Sequence, residues 1–195
     1  MSDDLDDGEL AALAADQARA IAVGVAHRLR PAAATRSAAP VMRKPMRSIV
    51  ALLTQHRPDD AVLSAEQPSA ASRLQHCRVW IVDPLDGTRE YGEPGARTDW
   101  AVHVALCVDG VPAACAVAPA GLLKQLWRSD RVQAFAGCLC RSAAHRGQPH
   151  AATAGCRGAG PAAGRAQLLR IGSAGAKAIA VLRGDAELYV HTGGA

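Results

Sequence analysis

Val79-Trp80-Ile81-Val82-Asp83-Pro84-Leu85-Asp86-Gly87-Thr88 is the stretch on which the reading of this chain turns. Four consecutive apolar residues, with Arg78 before them, predict a short buried strand, and two carboxylates set three residues apart follow it. Two acids at a strand end offer hard oxygen ligands of the kind Mg²⁺ takes. Gly87 and Thr88 then turn the chain so that backbone N–H groups can meet a phosphate. Asp-Pro-x-Asp-Gly by itself is also a good turn, because each of these residue types favours turns for its own reason. The apolar run before it and Thr88 after it make the full string far more specific than a turn.

The chemistry that suits such a string is phosphate monoester hydrolysis. The uncatalysed reaction is extremely slow, and two divalent ions about 3.5–4 Å apart neutralise the phosphoryl oxygens and sharpen a water nucleophile. Several carboxylates are needed. Asp83 and Asp86 form one pair, the Leu85 carbonyl fills a hard-ligand position between them, and Glu66 arrives from the end of a neighbouring short strand, Ala61-Val62-Leu63-Ser64. Thr88 is placed to position the water or hold a phosphate oxygen.

Outward from the motif, residues 8 to 30 predict an amphipathic helix, with Leu10, Ala14, Ile21, Val25 and Leu29 near helical spacing behind an Asp7 cap. Pro31 to Pro45 has three prolines, an alanine run and no period, and reads as irregular. Met46, Ile49, Val50 and Leu53 then predict a short helix that Pro58-Asp59-Asp60 ends. Trp100, Val102, Val104 and Leu106 alternate with Ala101, His103, Ala105 and Cys107, the period of a half-buried strand, and Asp109-Gly110 is a hairpin turn. With further strands over Val111–Ala118 and Leu122–Trp127, residues 60 to 135 predict an antiparallel sheet layered on the first helices. His103 reads as a packed or hydrogen-bonded histidine rather than a catalytic one, and Trp100 and Trp127 as core anchors.

Gly137 to Gly164 is rich in Gly, Ala, Arg and Cys and has no period that would bury a face. Gly155-Cys156-Arg157-Gly158-Ala159-Gly160 lacks the preceding strand and spacing of a dinucleotide loop. Order resumes at Gln167–Ile171, continues through Gly172–Lys177 into a helical run to Leu182, and ends in a strand over Glu187–Val190, which predicts the start of a second α/β unit. Lys177 could bind an anion or be solvated.

Composition excludes more than it selects. The 195 residues carry a net charge of +4, a mild balance that does not call for nucleic acid. Six cysteines without a CxxC pair, and with no His at zinc-finger spacing, predict reduced, mostly buried thiols. The chain opens on no basic-then-apolar leader and holds no run of about 18 apolar residues. A cytoplasmic protein without membrane contact is the expectation. The hydrophobic fraction of 49% leans on alanine, with 3% aromatic residues, so the core should be rich in small side chains.

The string at 83 to 88 resembles the hallmark of the inositol monophosphatase-like superfamily of Mg²⁺-dependent phosphatases. Its surroundings, Val79–Val82, Arg89-Glu90-Tyr91, Arg97–His103, Ile171–Lys177 and Tyr189–Gly194, resemble the 3′(2′),5′-bisphosphate nucleotidase branch. The resemblance implies a layered sugar-phosphatase-type fold, α+β or α/β, with layers in the order α-β-α-β. It implies an N-terminal metal- and phosphate-binding domain over 1–136, an irregular segment over 137–166, and the start of a truncated α/β domain over 167–195. It further implies Mg²⁺ as cofactor and removal of the 3′-phosphate from adenosine 3′,5′-bisphosphate, a by-product of sulfate activation. Asp83, Leu85 and Asp86 would be metal ligands, Gly87 and Thr88 would hold the phosphate, and Gly172, Ser173 and Lys177 would line the nucleoside or sugar side.

Three departures accompany the resemblance. The family's Glu-Glu pair is Ala65-Glu66 here, its Gly-Asp loop falls in the irregular Pro31–Pro45 stretch, and its Trp-Asp motif does not occur before Ala195. Patternless segments between matching ones are what local reading-frame errors would produce. The rival expectations are an inositol monophosphatase and an inactive remnant that binds metal or nucleotide weakly.

Overall fold

The structure, a computed structural model, describes residues 5–29, 39–64, 75–93, 97–121, 127–129, 153–155, 167–186 and 188–189. Helix α1 spans Asp7–Leu29. Its cap is Asp6 rather than Asp7: the Glu9 N–H donates to Asp6 Oδ1 at 2.6 Å and the Asp6 N–H donates to Glu9 Oε2 at 3.0 Å, a reciprocal capping box. Asp7 is used elsewhere, accepting from Arg57 and Arg78, each at 3.0 Å, and so fastens the helix start to the following layers. Leu10, Ala11, Ala14, Ala15, Ala18 and Ala22 are buried, and these small side chains let the helix approach both α2 and the sheet closely.

Helix α2 spans Ala39–His56 and is longer than the sequence predicts. Residues 39–45, read as irregular, are helical, with Pro45 inside the helix and fully buried. A proline there removes one i→i−4 hydrogen bond and crowds the preceding turn. The buried stripe of Met42, Met46, Ile49 and Leu53 overrides that penalty, since fully burying a side chain of this size contributes about 1.5–3 kcal/mol. The rest of the irregular stretch, 31–38, lies outside the described residues.

Five strands form the main sheet in the order β1 (Ala61–Ser64), β2 (Arg78–Asp86), β3 (Ala101–Val108), β4 (Val111–Pro119) and β5 (Trp127–Ser129). The layered fold is as expected. Within it β1 runs parallel to β2 while the other pairs are antiparallel. Trp80, Val82, Val102, Val104, Leu106, Ala114, Ala116 and Ala118 are buried toward α1 and α2. Trp80 Nε1 donates to Asp60 Oδ2 at 2.8 Å, which gives this fully buried side chain a polar anchor. Asp109 and Gly110, with φ of 51° and 78°, form the turn between β3 and β4, the positive values that a two-residue hairpin of this twist needs. The opposite face carries Ile81, Asp83, His103, Cys107 and Cys115. Cys77, Cys107 and Cys115 form no disulfide and are not buried, which corrects the expectation of mostly buried thiols; Cys138, Cys140 and Cys156 lie outside the described residues.

After the motif comes α3 (Thr88–Gly92), a single turn. A second sheet has the order β7 (Gln167–Leu169), β6 (Thr153–Gly155), β8 (Leu188–Tyr189), with α4 (Ala174–Leu182) between β7 and β8. Thr153–Gly155 falls in the span read as patternless, so that span supplies the central strand of the unit. Both neighbours of β6 run antiparallel to it, so β7 and β8 are parallel to each other and flank it. No helix among the described residues is long and apolar enough to cross a membrane.

Candidate active site

Strand β2 delivers the two acids, but differently from a plain alternation. Asp83 lies opposite His103 and Asp86 opposite Ala101, three residues on β2 against two on β3, which marks a bulge. Pro84 sits in this bulge, where its missing N–H leaves no rung of the ladder unmade. Asp83 and Asp86 are thereby both brought to the end of the sheet, and Leu85 is buried behind them. Gly87 then turns the chain at φ 91° into α3, with Thr88 as the first helical residue, exposed to solvent. A Cβ at Gly87 would stand 3.0 Å from Ser173 Cβ and 3.1 Å from Trp100 Cβ, so both the backbone conformation and the close approach favour glycine. Tyr91 holds α3 in place, its hydroxyl donating to the Ala22 carbonyl at 2.9 Å and its ring edge-on to Trp100 at 5.3 Å.

Asp86 Oδ2 is the focus of the site. It accepts from Ser173 Oγ and the Gly175 N–H, both at 2.7 Å, and from His103 Nε2 at 3.0 Å. Burial alone would raise its pKa, but the hydrogen bonds from His103, Gly175 and Ser173 outweigh that and hold the carboxyl at about 2. Asp86 is therefore ionised and acts only as an acceptor. Asp83 is shifted the other way: burial of its carboxyl, though the residue keeps an open surface, pushes it above the usual value, the Leu85 N–H at 3.0 Å opposes this, and the Asp86 charge adds to it.

The partners of Asp86 come from a loop that is itself clamped. The Gly172 N–H donates to Asp99 Oδ2 at 2.6 Å and the Ser173 N–H to the Asp99 carbonyl at 3.0 Å. Ser173 caps α4, its Oγ accepting from the Ala176 N–H at 2.9 Å while donating to Asp86. A Cβ at Gly172 would lie 2.1 Å from Glu90 Cγ. Lys177 is buried, with Nζ 5.6 Å from the centre of the Tyr189 ring. Burial lowers its pKa, while the charges of Glu90, Asp86 and Asp99 hold it up.

The structure thus brings Asp83, Leu85, Asp86, Gly87 and Thr88 together, and sets Gly172, Ser173 and Lys177 against them. Glu66 lies outside the described residues. Three participants escaped the sequence reading: Asp99, Gly175, and His103 as a direct partner of Asp86. The alternation of β3 showed which face His103 occupies, and nothing local showed what would meet it there.

One oxygen of each acid is engaged by protein donors, Asp83 Oδ1 and Asp86 Oδ2, and among the described residues the other oxygen of each is the one a cation could take. Two carboxylate oxygens and the Leu85 carbonyl are hard donors, and the desolvated, mutually repelling Asp83–Asp86 pair is what a bound cation would relieve. The donor set fits Mg²⁺, which is commonly held by one or two carboxylates together with substrate phosphate. Among the described residues no group of three or more His, Cys, Asp or Glu side chains is arranged to hold a metal ion.

Residues 34–147 match the model of the inositol monophosphatase family. The chain belongs to that family. A curated relative from Mycobacterium leprae (strain TN), named 3′-phosphoadenosine 5′-phosphate phosphatase, is 41% identical over 162 residues, which cover 75% of this chain and 57% of the relative. The chain therefore spans little more than half the length of the relatives it matches. Among solved structures, CysQ of Bacteroides thetaiotaomicron, a bacterial member of the inositol monophosphatase family, superposes with a TM-score of 0.56 at 26% identity, covering 65% of this chain and 46% of that one. Inositol monophosphatase II of Staphylococcus aureus MSSA476 shares the fold, with a TM-score of 0.54 at 19% identity over 64% of this chain and 46% of that one.

Proposed function

We propose that this chain carries the N-terminal, phosphate-handling part of a Mg²⁺-dependent phosphatase that removes the 3′-phosphate from adenosine 3′,5′-bisphosphate in the cytoplasm. The observation that carries the substrate is the 41% identity to relatives named for 3′-phosphoadenosine 5′-phosphate. The geometry supports it through the loop at Gly172–Gly175, which closes on the same Asp86 that ends the acidic motif. In this reading residues 1–136 form the metal- and phosphate-binding domain and residues 167–195 open the second, with the segment between contributing β6.

Asp83, Asp86 and the Leu85 carbonyl would hold the metal; Glu66, the further ligand expected from the sequence, lies outside the described residues. When bound, Mg²⁺ supplies Lewis acidity toward a phosphoryl oxygen and a water of lowered pKa. Thr88 orients the attacking water through its hydroxyl, and the Gly87–Thr88 turn offers backbone N–H groups to the phosphate. Asp86, ionised and held by three donors, cannot rotate away from the reacting centre. Gly172, Ser173 and Lys177 line the nucleoside side, where the Lys177 charge attracts a second phosphate.

The test is Mg²⁺-dependent phosphate release by the chain from adenosine 3′,5′-bisphosphate and from inositol 1-phosphate. A specificity constant at least about tenfold higher for the nucleotide is expected. Preference for inositol 1-phosphate would replace the proposed substrate, and release from neither would overturn the enzymatic reading. One feature favours a non-catalytic second reading: Ala65 stands where the family has its first glutamate. Comparison with Ala65→Glu decides between them, since activity confined to that variant marks a ligand set that is incomplete in the chain as it stands.

A further inference from the structure

His103 is one of the three donors to Asp86, and its ring is built into the site. Asp83 and His103 are direct cross-strand partners on the sheet face turned away from α1 and α2, which sets the ring beside the acidic motif. Its Nε2 lies 3.0 Å from Asp86 Oδ2, and because an ionised carboxylate only accepts, Nε2 carries the proton and donates it. Helix α4 closes against the same edge of the ring. A Cβ added at residue 175 would lie 2.2 Å from His103 Nε2 and 2.3 Å from Cε1, so the glycine leaves the space the imidazole fills.

Three donors on one oxygen leave Oδ2 with no capacity to serve a cation as well. Ser173 and Gly175 approach from the loop before α4 and the first turn of α4, whereas His103 approaches from β3. Two donors from one side would let the carboxylate pivot with the loop, and the third, fixed to the sheet, sets its plane.

We propose that His103 is a positioning residue: by donating to Asp86 Oδ2 it turns Asp86 Oδ1 toward the cation, and so sets Mg²⁺ affinity without touching metal or substrate. This deepens the proposed function and rests on Asp86 being a metal ligand. Partners that orient a ligating carboxylate typically contribute about 10–100-fold in metal affinity. Gln carries an amide nitrogen near the position of Nε2 and keeps the donor, while Leu keeps similar bulk and removes it.

The experiment measures Mg²⁺ binding to the whole chain by calorimetry, independently of turnover, alongside phosphate release at varied Mg²⁺ and varied adenosine 3′,5′-bisphosphate. His103→Leu should weaken Mg²⁺ binding by about 10–100-fold, and His103→Gln should stay within about threefold of the unaltered chain. At saturating Mg²⁺ the nucleotide KM should be unchanged. Mg²⁺ bound by His103→Leu as tightly as by the unaltered chain, or His103→Gln as weak as His103→Leu, overturns the proposal. Near-ultraviolet circular dichroism checks folding. Should His103→Leu fail to fold, His103→Phe takes its place, because it keeps a ring in the space and removes the donor; it should lower Mg²⁺ affinity, and unchanged affinity overturns the proposal. Mg²⁺ binding without phosphate release would sink the catalytic reading alone and leave the His103 comparison decisive; absence of Mg²⁺ binding by the unaltered chain overturns both.

Discussion

Ser173 Oγ donates to Asp86 Oδ2 at 2.7 Å across 87 residues of chain, and the same oxygen accepts from the Ala176 N–H as the cap of α4. One hydroxyl therefore ends the acidic motif's search for a donor and starts a helix. Ser173→Ala should lower stability by about 0.5–2 kcal/mol through loss of the cap alone. Urea unfolding would measure it. Ser173→Thr keeps the hydroxyl and should recover most of the difference; a variant pair with equal midpoints would show that the hydroxyl does not hold α4.

Asp86→Asn removes the negative charge on which three donors converge. The variant should lose Mg²⁺-dependent phosphate release by at least about 100-fold and lose any rise in melting temperature on adding Mg²⁺. Thermal melts with and without Mg²⁺ read the second effect without relying on turnover. A melting temperature that still responds to Mg²⁺ as in the unaltered chain would exclude Asp86 as a ligand.

Acid should loosen the Gly172–Ser173 loop through Asp99. Burial alone would raise the pKa of Asp99, but Arg97 and the Gly172 N–H bind its ionised form and bring it below the usual carboxylate value of 3.8. A group depressed on folding contributes stability above its unfolded pKa and loses it as pH falls through the folded one. Exchange of the amides around residues 172–176 should thus accelerate below about pH 4, and Asp99→Asn should flatten that acid limb. An unchanged pH profile in Asp99→Asn would remove Asp99 as the source.

Asp60 ties β2 to the chain before β1, accepting from Trp80 Nε1 at 2.8 Å and from Arg78 Nε at 2.8 Å. Asp60→Ala leaves the indole N–H of a fully buried tryptophan without its partner. With Arg78 partly in solvent, the loss should come to about 2 kcal/mol, seen as a lower urea midpoint with unchanged slope. A midpoint unaffected by the change would mean that water replaces the carboxylate at both donors.

What could be read from the sequence was what local pattern determines. The apolar run before Asp83, the alternation of β3 and Asp109-Gly110 each place an element with no help from distant residues. The sequence predicts a shorter α2 because Pro40 and Pro45 argue against helix locally, and its packing on α1 decides for the longer one. Pro84 is the one local sign of the bulge between Asp83 and Asp86, since proline inside a strand is confined to edges, starts or bulges, and the parallel pairing of β1 with β2 left no local signal. For the candidate site, the residue types in the motif suggest cation chemistry by themselves, whereas Asp99, His103 and Gly175 act only through partners brought close by the fold.

Lys177 offers the sharpest separation of stability from function. Burial lowers its pKa, so its charge is held at a desolvation cost, while Glu90, Asp86 and Asp99 draw it toward the site and the Tyr189 ring lies 5.6 Å from Nζ. Lys177→Met keeps the long apolar stem and removes both the charge and its desolvation. The two effects oppose each other in stability, which should change by less than about 1 kcal/mol. Binding of a second phosphate has no such compensation. The KM for adenosine 3′,5′-bisphosphate should rise by about tenfold, with a much smaller effect on inositol 1-phosphate, which lacks that group. Steady-state kinetics on both substrates, paired with urea unfolding of the same variant, makes the comparison. Equal losses on the two substrates would assign Lys177 to the reacting phosphate, and a large fall in stability with unaltered KM would make it a structural cation.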